Sequence, residues 1–340
     1  MEQIKAISIA KPGEISIVKK DMPILHDGEA LLKVVYCGIC GSDVATYKGD
    51  QPFSSYPRIP GHEFSARIVE IKDKNSKFKE GMLVTAVPYF SCEECYPCQN
   101  GKTNCCESIK VMGVHIDGAF TEYLTVPVKS LVDGRNLSPE ILAAVEPYSI
   151  GHHAIKRGEV KKGENVLIIG AGPIGIVAMI SAKLRGAKVH IVDMLDERLQ
   201  LAKSLGADTI INSKDEDLSK RVRELTDGRG MDTCVEAVGI PATFLSCIDQ
   251  ACFGGKLILI GNGKRETTFV HSVLLKKELT VYASRNSRME DFMEVVDLFS
   301  NNKVDIQKLI TTMYDFDDAI DAFNALRHND GSMAKVMIKL

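Results

Sequence analysis

Apolar and polar positions along this chain follow two successive rhythms. Over roughly the first 140 residues, short alternating or apolar runs, such as residues 30–35 and 64–69, are punctuated by Gly and Pro, which predicts a β-rich region. From about Lys161 the rhythm changes: residues 166–169 form a compact apolar strand, then a Gly turn opens a helical stretch over 173–185. Residues 188–192 predict a second strand, 196–205 a second helix, and 209–211, 231–235 and 256–260 further strands. Strands alternating with helices point to a parallel sheet covered on both faces. The last segment, 335–340, reads as a strand that returns to the first region.

Length and charge narrow the function. A chain of 340 residues exceeds one ordinary core, so two domains are expected. A formal net charge of -3 gives no basic footprint for nucleic acid or anionic membrane. No apolar run approaches the roughly 20 residues a spanning helix needs. The start, Met1-Glu2-Gln3-Ile4-Lys5, lacks the pattern of an export signal, so a cytoplasmic protein is expected.

The cysteines carry chemistry. Seven of the 10 fall between Cys37 and Cys106, and without an export signal such clustered thiols read as metal ligands rather than disulfides. Cys92, Cys95, Cys98 and Cys106 offer four thiolates in one loop, a closed tetrahedral set that suits structural zinc; Cys105 beside Cys106 leaves the fourth ligand open between them. Cys234, Cys247 and Cys252 sit in apolar runs and are expected in the core. A second constellation is scattered: Cys40, His62, Glu63 and Glu146 could bind a catalytic zinc with a position left for substrate, although each residue alone is more often structural and spacing leaves the set at even odds.

Gly170-Ala171-Gly172-Pro173-Ile174-Gly175 lies directly after a strand and opens a helix, the setting of a dinucleotide-binding turn. Asp193 stands about 20 residues on, where an acid meets the ribose hydroxyls. Its charge would repel a 2′-phosphate, which favours NAD over NADP; Arg198 lies against the adenine end or caps a helix face.

These pieces, in order along essentially the whole chain, resemble the zinc-containing medium-chain alcohol and polyol dehydrogenases. Gly38-Ile39-Cys40-Gly41-Ser42-Asp43 and Gly61-His62-Glu63 resemble the family's first two ligand motifs, the four-cysteine loop its structural zinc, and Glu146-Pro147-Tyr148-Ser149 its next zinc-side segment. Glu146, where simple alcohol dehydrogenases have a third cysteine, resembles the sorbitol and sugar-acid branch. Asn104-Cys105-Cys106-Glu107, Gly113-Val114-His115 and Ser284-Arg285-Asn286 look like the L-galactonate and L-gulonate 5-dehydrogenases.

The resemblance implies an α/β protein: a β-rich GroES-like catalytic domain over 1–150 and 286–340, a Rossmann doubly wound parallel sheet over 151–285, and an active site in the cleft between. It implies NAD and two zinc ions, one catalytic and one structural, with a homodimer or homotetramer as the assembly. Cys40, His62 and Glu63 would hold the catalytic ion, with Glu146 binding it or holding its water. Ser42 would accept the substrate proton and Asp43 would orient a ligand. His115 and Arg285 could reach the substrate or the nicotinamide side; by its chemistry the Arg285 guanidinium suits a sugar-acid carboxylate, with a structural ion pair the equal alternative. His152 and His153 read as packed structural residues. One departure stands out: where many relatives carry a histidine as the outer end of a proton relay, this chain has Ala45. Threonine or sorbitol oxidation, or a non-catalytic NAD or zinc sensor, are the competing readings; a metal-free reductase would lack Cys40, His62 and the four-cysteine loop.

Overall fold

In the computed structural model, which describes residues 3–51 and 54–340, the chain divides into two units. One comprises Met1–Glu146 and Ser287–Leu340, the other Pro147–Asn286. The chain leaves the first inside the helix Val145–Arg157 and returns just before Ser287. The first two residues, part of the stretch that argued against an export signal, lie outside the described residues.

The first unit is built on a seven-stranded sheet. Strand Lys335–Lys339 lies beside Glu29–Ile39, which in turn lies beside Glu63–Ile71. Leu83–Ala86 and Leu131–Asp133 continue that side, Ile310–Asp315 forms the opposite edge, and Tyr123–Pro127 also pairs with Glu29–Ile39. Alternation sets which side chains turn inward: Leu124 and Val126 are buried while their neighbours are half-exposed. A hairpin, Gln3–Lys11 with Glu14–Asp21, adds Ile7 and Ile9 to the core. Phe120 packs edge-on against Phe323, ring centroids 5.5 Å apart.

The second unit holds six parallel strands in the order Thr209–Asn212, Lys188–Asp193, Asn165–Ile169, Met231–Glu236, Ala251–Leu259 and Thr280–Ala283. By position in the chain this is the 3-2-1-4-5-6 order of a Rossmann sheet. Helices Pro173–Leu184 and Asp196–Ser204 fall where the apolar rhythm predicts them. Strand Ala251–Leu259 starts five residues earlier than the apolar run suggests, and its register with Met231–Glu236 shifts between Met231 and Thr233. That irregularity corrects one expectation: Cys234 and Cys247 are buried in the core, but Cys252 is only half-buried. Among the described residues, no helix is long and apolar enough to cross a membrane.

Candidate functional site

Three neighbouring strands bring one group of polar side chains together. Cys40 follows the strand Glu29–Ile39 directly, and Glu63 opens the strand beside it, opposite Gly38. Lys335 opens the strand on the other side, where Val336 pairs with Ile39. A Cβ on Gly38 would sit 2.4 Å from Oε2 of Glu63, so only glycine leaves room for that carboxylate.

Donor atoms of Cys40, His62 and Glu63 lie within 4.8 Å of one another, close enough to share one metal ion. Asp43 ties their loops together. Its Oδ2 accepts the backbone N–H of Cys40 at 2.9 Å and its Oδ1 that of Gly61 at 3.1 Å. The Asp43 carboxylate is 3.9 Å from Nδ1 of His62, too far for a direct hydrogen bond. Burial pulls the His62 pKa down, but Cys40, Asp43 and Glu146 outweigh it and hold the imidazole well above its usual range. A site that so strongly favours positive charge suits a divalent cation. Among the described residues, two atoms here have no partner: Nδ1 of His62 and the buried Oγ of Ser42. Such orphaned groups fit a site completed by ligands.

The carboxylates are held differently. Glu63, 1% exposed, receives Lys335 Nζ on both oxygens at 2.7 and 2.6 Å. Burial pulls the Lys335 pKa down, yet Glu63, with Cys40 and Glu146, raises it above the ordinary lysine range. Glu146, in the first turn of its helix, is outside the three-donor group and accepts a hydrogen bond on Oε1 from the Tyr89 hydroxyl. Burial, with a further push from Glu63, moves its carboxyl up to about 7.

The four-cysteine loop is compact. Sγ of Cys92 lies 3.5 Å from that of Cys106, and Sγ of Cys95 lies 3.4 Å from that of Cys98. Sulfurs around a 2.3 Å tetrahedral zinc would be about 3.8 Å apart, so a small expansion admits the ion. Backbone N–H groups of Glu94 and Cys95 lower the Cys92 thiol to about 6, priming it as a thiolate. Cys106, not Cys105, completes the set.

The glycine turn fits a dinucleotide. Gly170 has φ 106°, and a Cβ on Gly175 would sit 1.8 Å from the Gly170 carbonyl, so the turn and the helix behind it both demand glycine. A Cβ on Gly172 would meet nothing within 4 Å, which leaves open space in front of the helix that Pro173 and Ile174 begin. Asp193 ends the next strand. Its oxygens accept the N–H groups of Ala171, Met194 and Leu195 at 2.8, 2.7 and 3.1 Å, and Arg198 stands 3.8 Å from it.

Remaining candidates spread out. Arg285 is exposed just past the strand Thr280–Ala283. His115 is also exposed, and its Nδ1 accepts the Val111 N–H at 3.0 Å within its own turn. His152 and His153 are buried, and His152 stacks on Tyr148. Tyr89 had no signal in the sequence, and Lys335 had one: a lysine heading an apolar run, since a buried cation needs a partner.

Residues 26–136 match the alcohol dehydrogenase GroES-like domain, and residues 173–301 the zinc-binding dehydrogenase domain. The chain is 40% identical over 319 residues, 93% of each chain, to an uncharacterised zinc-type alcohol dehydrogenase-like protein of Haemophilus influenzae. It is 33% identical over 338 residues, 99% of each chain, to the L-galactonate-5-dehydrogenase of Escherichia coli. The rspB alcohol dehydrogenase of Escherichia coli, solved with NADH, superposes with a TM-score of 0.94 at 31% identity over 100% of both chains. Domain pair, ligand motifs and relatives agree: this chain belongs to the zinc-type medium-chain alcohol and polyol dehydrogenases, oxidoreductases that act on an alcohol carbon.

Proposed function

We propose that the protein oxidises a secondary alcohol of a sugar acid or polyol, L-gulonate or L-galactonate at C5, to the ketone, with NAD as acceptor. The observation that carries this reading is Glu146, a buried carboxylate standing beside the Cys40–His62–Glu63 group where simple alcohol dehydrogenases place a thiol. When bound, zinc lowers the pKa of a substrate hydroxyl and NAD accepts a hydride.

The rest falls to the chain's own groups. Cys40, His62 and Glu63 would hold the catalytic ion, and Cys92, Cys95, Cys98 and Cys106 a structural one. The orphaned Ser42 Oγ would take the substrate proton, while Asp43 holds the Cys40 and His62 loops in place. The turn Gly170, Gly172, Pro173, Ile174, Gly175 would cradle the pyrophosphate, and Asp193 would bind the ribose in preference to a 2′-phosphate. Arg285 offers the paired hydrogen bonds a substrate carboxylate needs.

Aldonates, polyols and L-threonine assayed with NAD and NADP, with zinc counted per chain, test the whole reading. Preference for an aldonate with NAD and about two zinc ions is expected; preference for L-threonine would refute it, and one zinc would point to an empty or exchanged catalytic site. We also infer a homodimer or homotetramer. The edge strand Thr280–Ala283 is paired on one side only, with Phe253 67% and Leu275 72% exposed nearby on the same unit. Light scattering that shows a monomer at micromolar concentration would sink this. Reduced, clustered thiols suit the cytoplasm.

A further inference from the structure

We propose that Tyr89 is a positioning residue: by donating its hydroxyl to Oε1 of Glu146 it holds that carboxylate off the metal and oriented toward whatever water or hydroxyl binds beside His62. This rests on reading Cys40, His62 and Glu63 as a zinc site.

Tyr89 sits in the short strand Tyr89–Phe90, opposite Val111 in Lys110–Val111. These two strands close the base of the loop that carries Cys92, Cys95, Cys98 and Cys106. The phenol therefore projects from the strand-paired root of the four-cysteine loop, not from a free loop. Ser287 hydrogen-bonds to the same phenol, so the hydroxyl is oriented from a second side.

Glu146 comes from a different part of the chain, the start of the helix Val145–Arg157, and is 3% exposed. It stands near enough to His62 for the two charges to act on each other, yet it is not among the donor atoms grouped with Cys40 and His62. A glutamate side chain has three rotatable bonds, and a buried carboxylate beside a cation would swing onto it unless something restrained it. The phenol O–H donates to a carboxyl oxygen in either protonation state, most strongly to the ionised one, which makes the tyrosine an effective restraint. The four-cysteine lobe thereby gains a role in the chemistry: it fixes the donor that fixes the glutamate.

The test uses the holoenzyme with cobalt exchanged into its metal sites. Tyr89→Phe keeps the ring and removes the hydroxyl. Its expected effects are a roughly 10- to 100-fold loss of kcat, the usual range for partners of metal-site residues, with KM for NAD unchanged. The cobalt d–d bands of the Cys40–His62 site should shift as Glu146 swings onto the ion. In a Glu146→Gln background the same substitution should move neither bands nor kcat by more than about twofold, because the restraint then has nothing to hold.

Equal losses in both backgrounds would overturn the proposal, since Tyr89 would be acting on its own. So would unchanged bands in Tyr89→Phe. Cobalt–thiolate absorption of the four-cysteine loop reports whether the lobe survives. If it does not, Glu146→Asp, which withdraws the carboxylate from an intact Tyr89, must still shift the bands or the proposal fails. A wild-type protein that takes up no cobalt at Cys40 and His62 would instead refute the zinc reading, and this inference with it.

Discussion

Removing Lys335 should loosen the centre of the first unit's sheet. The Nζ sits 2.7 and 2.6 Å from the two Glu63 oxygens, and the side chains are 4% and 1% exposed. At those distances and an effective dielectric of about 20, the attraction is roughly 6 kcal/mol, most of it offset by desolvation of both charges. Lys335→Met strands the Glu63 carboxylate without its cation, which costs about 3–5 kcal/mol. Because the Lys335 pKa is raised in the folded chain, the contribution is fully present at neutral pH and lost only as pH rises beyond the ordinary lysine range.

A protein of two units does not unfold in one step, so a global melting temperature is a poor assay. Hydrogen exchange read peptide by peptide is a better one. Peptides from Glu29–Ile39, Glu63–Ile71 and Lys335–Lys339 should exchange on the order of 100-fold faster in Lys335→Met, the equivalent of about 3 kcal/mol. Peptides from Asn165–Ile169 should be unchanged. Lys335→Met/Glu63→Gln should recover much of the loss, and saturating zinc should narrow it, since the ion gives Glu63 another positive neighbour. Exchange within threefold of wild type in all three strands would refute the reasoning.

Other tests are simpler. Ala45→His, which supplies an outer proton acceptor, should flatten the rise of activity with pH; an unchanged profile would remove the relay argument. Arg285→Lys should raise KM for aldonates about tenfold or more while neutral polyols change little; equal losses would remove the carboxylate role. Asp193→Ala should move the kcat/KM ratio toward NADP, helped by Arg198 at 3.8 Å; a fixed ratio would mean that the acid does not select the cofactor. Burial, aided by Lys188, lowers the His190 pKa to about 4. The unfolded chain then binds the extra proton first, so stability should be complete above the ordinary histidine pKa and fall as pH drops toward 4. His190→Gln should remove that slope in urea titrations of the nucleotide unit's peptides by exchange.

What could be read in the sequence was local. The glycine turn and its acid span 24 residues, within one strand–helix–strand, and five of the six parallel strands fall on apolar runs; the edge strand Thr280–Ala283 and the order of the strands had no such signal. The four thiols lie within one loop, and spacing alone brought them together in the reading; what spacing could not decide was Cys105 against Cys106, which depends on the 3-10 turn Thr103–Cys105 that points one of the two into the cluster. Cys40, His62 and Glu146 make an even candidate by residue type, and the family resemblance tips the balance, because 106 residues separate the first from the last.

Tyr89 and Lys335 belong to no sequence motif, for a shared cause. Tyr89 meets Glu146 across 57 residues and Lys335 meets Glu63 across 272, and both contacts depend on sheet register rather than on any motif. In each case the sequence displayed the carboxylate and hid the donor that governs it. A carboxylate at a metal site is recognisable by its neighbours in the chain, whereas its restraint need only arrive at the right place in space, from any strand that passes. Lys335 does so because Val336 pairs with Ile39, one residue before Cys40; a register slip of one position would turn the ammonium to the opposite face of the sheet and leave Glu63 unpaired. The returning C-terminal strand is therefore part of the site itself, and shifting its register should disable metal binding at Cys40 and His62 while sparing the four-cysteine loop.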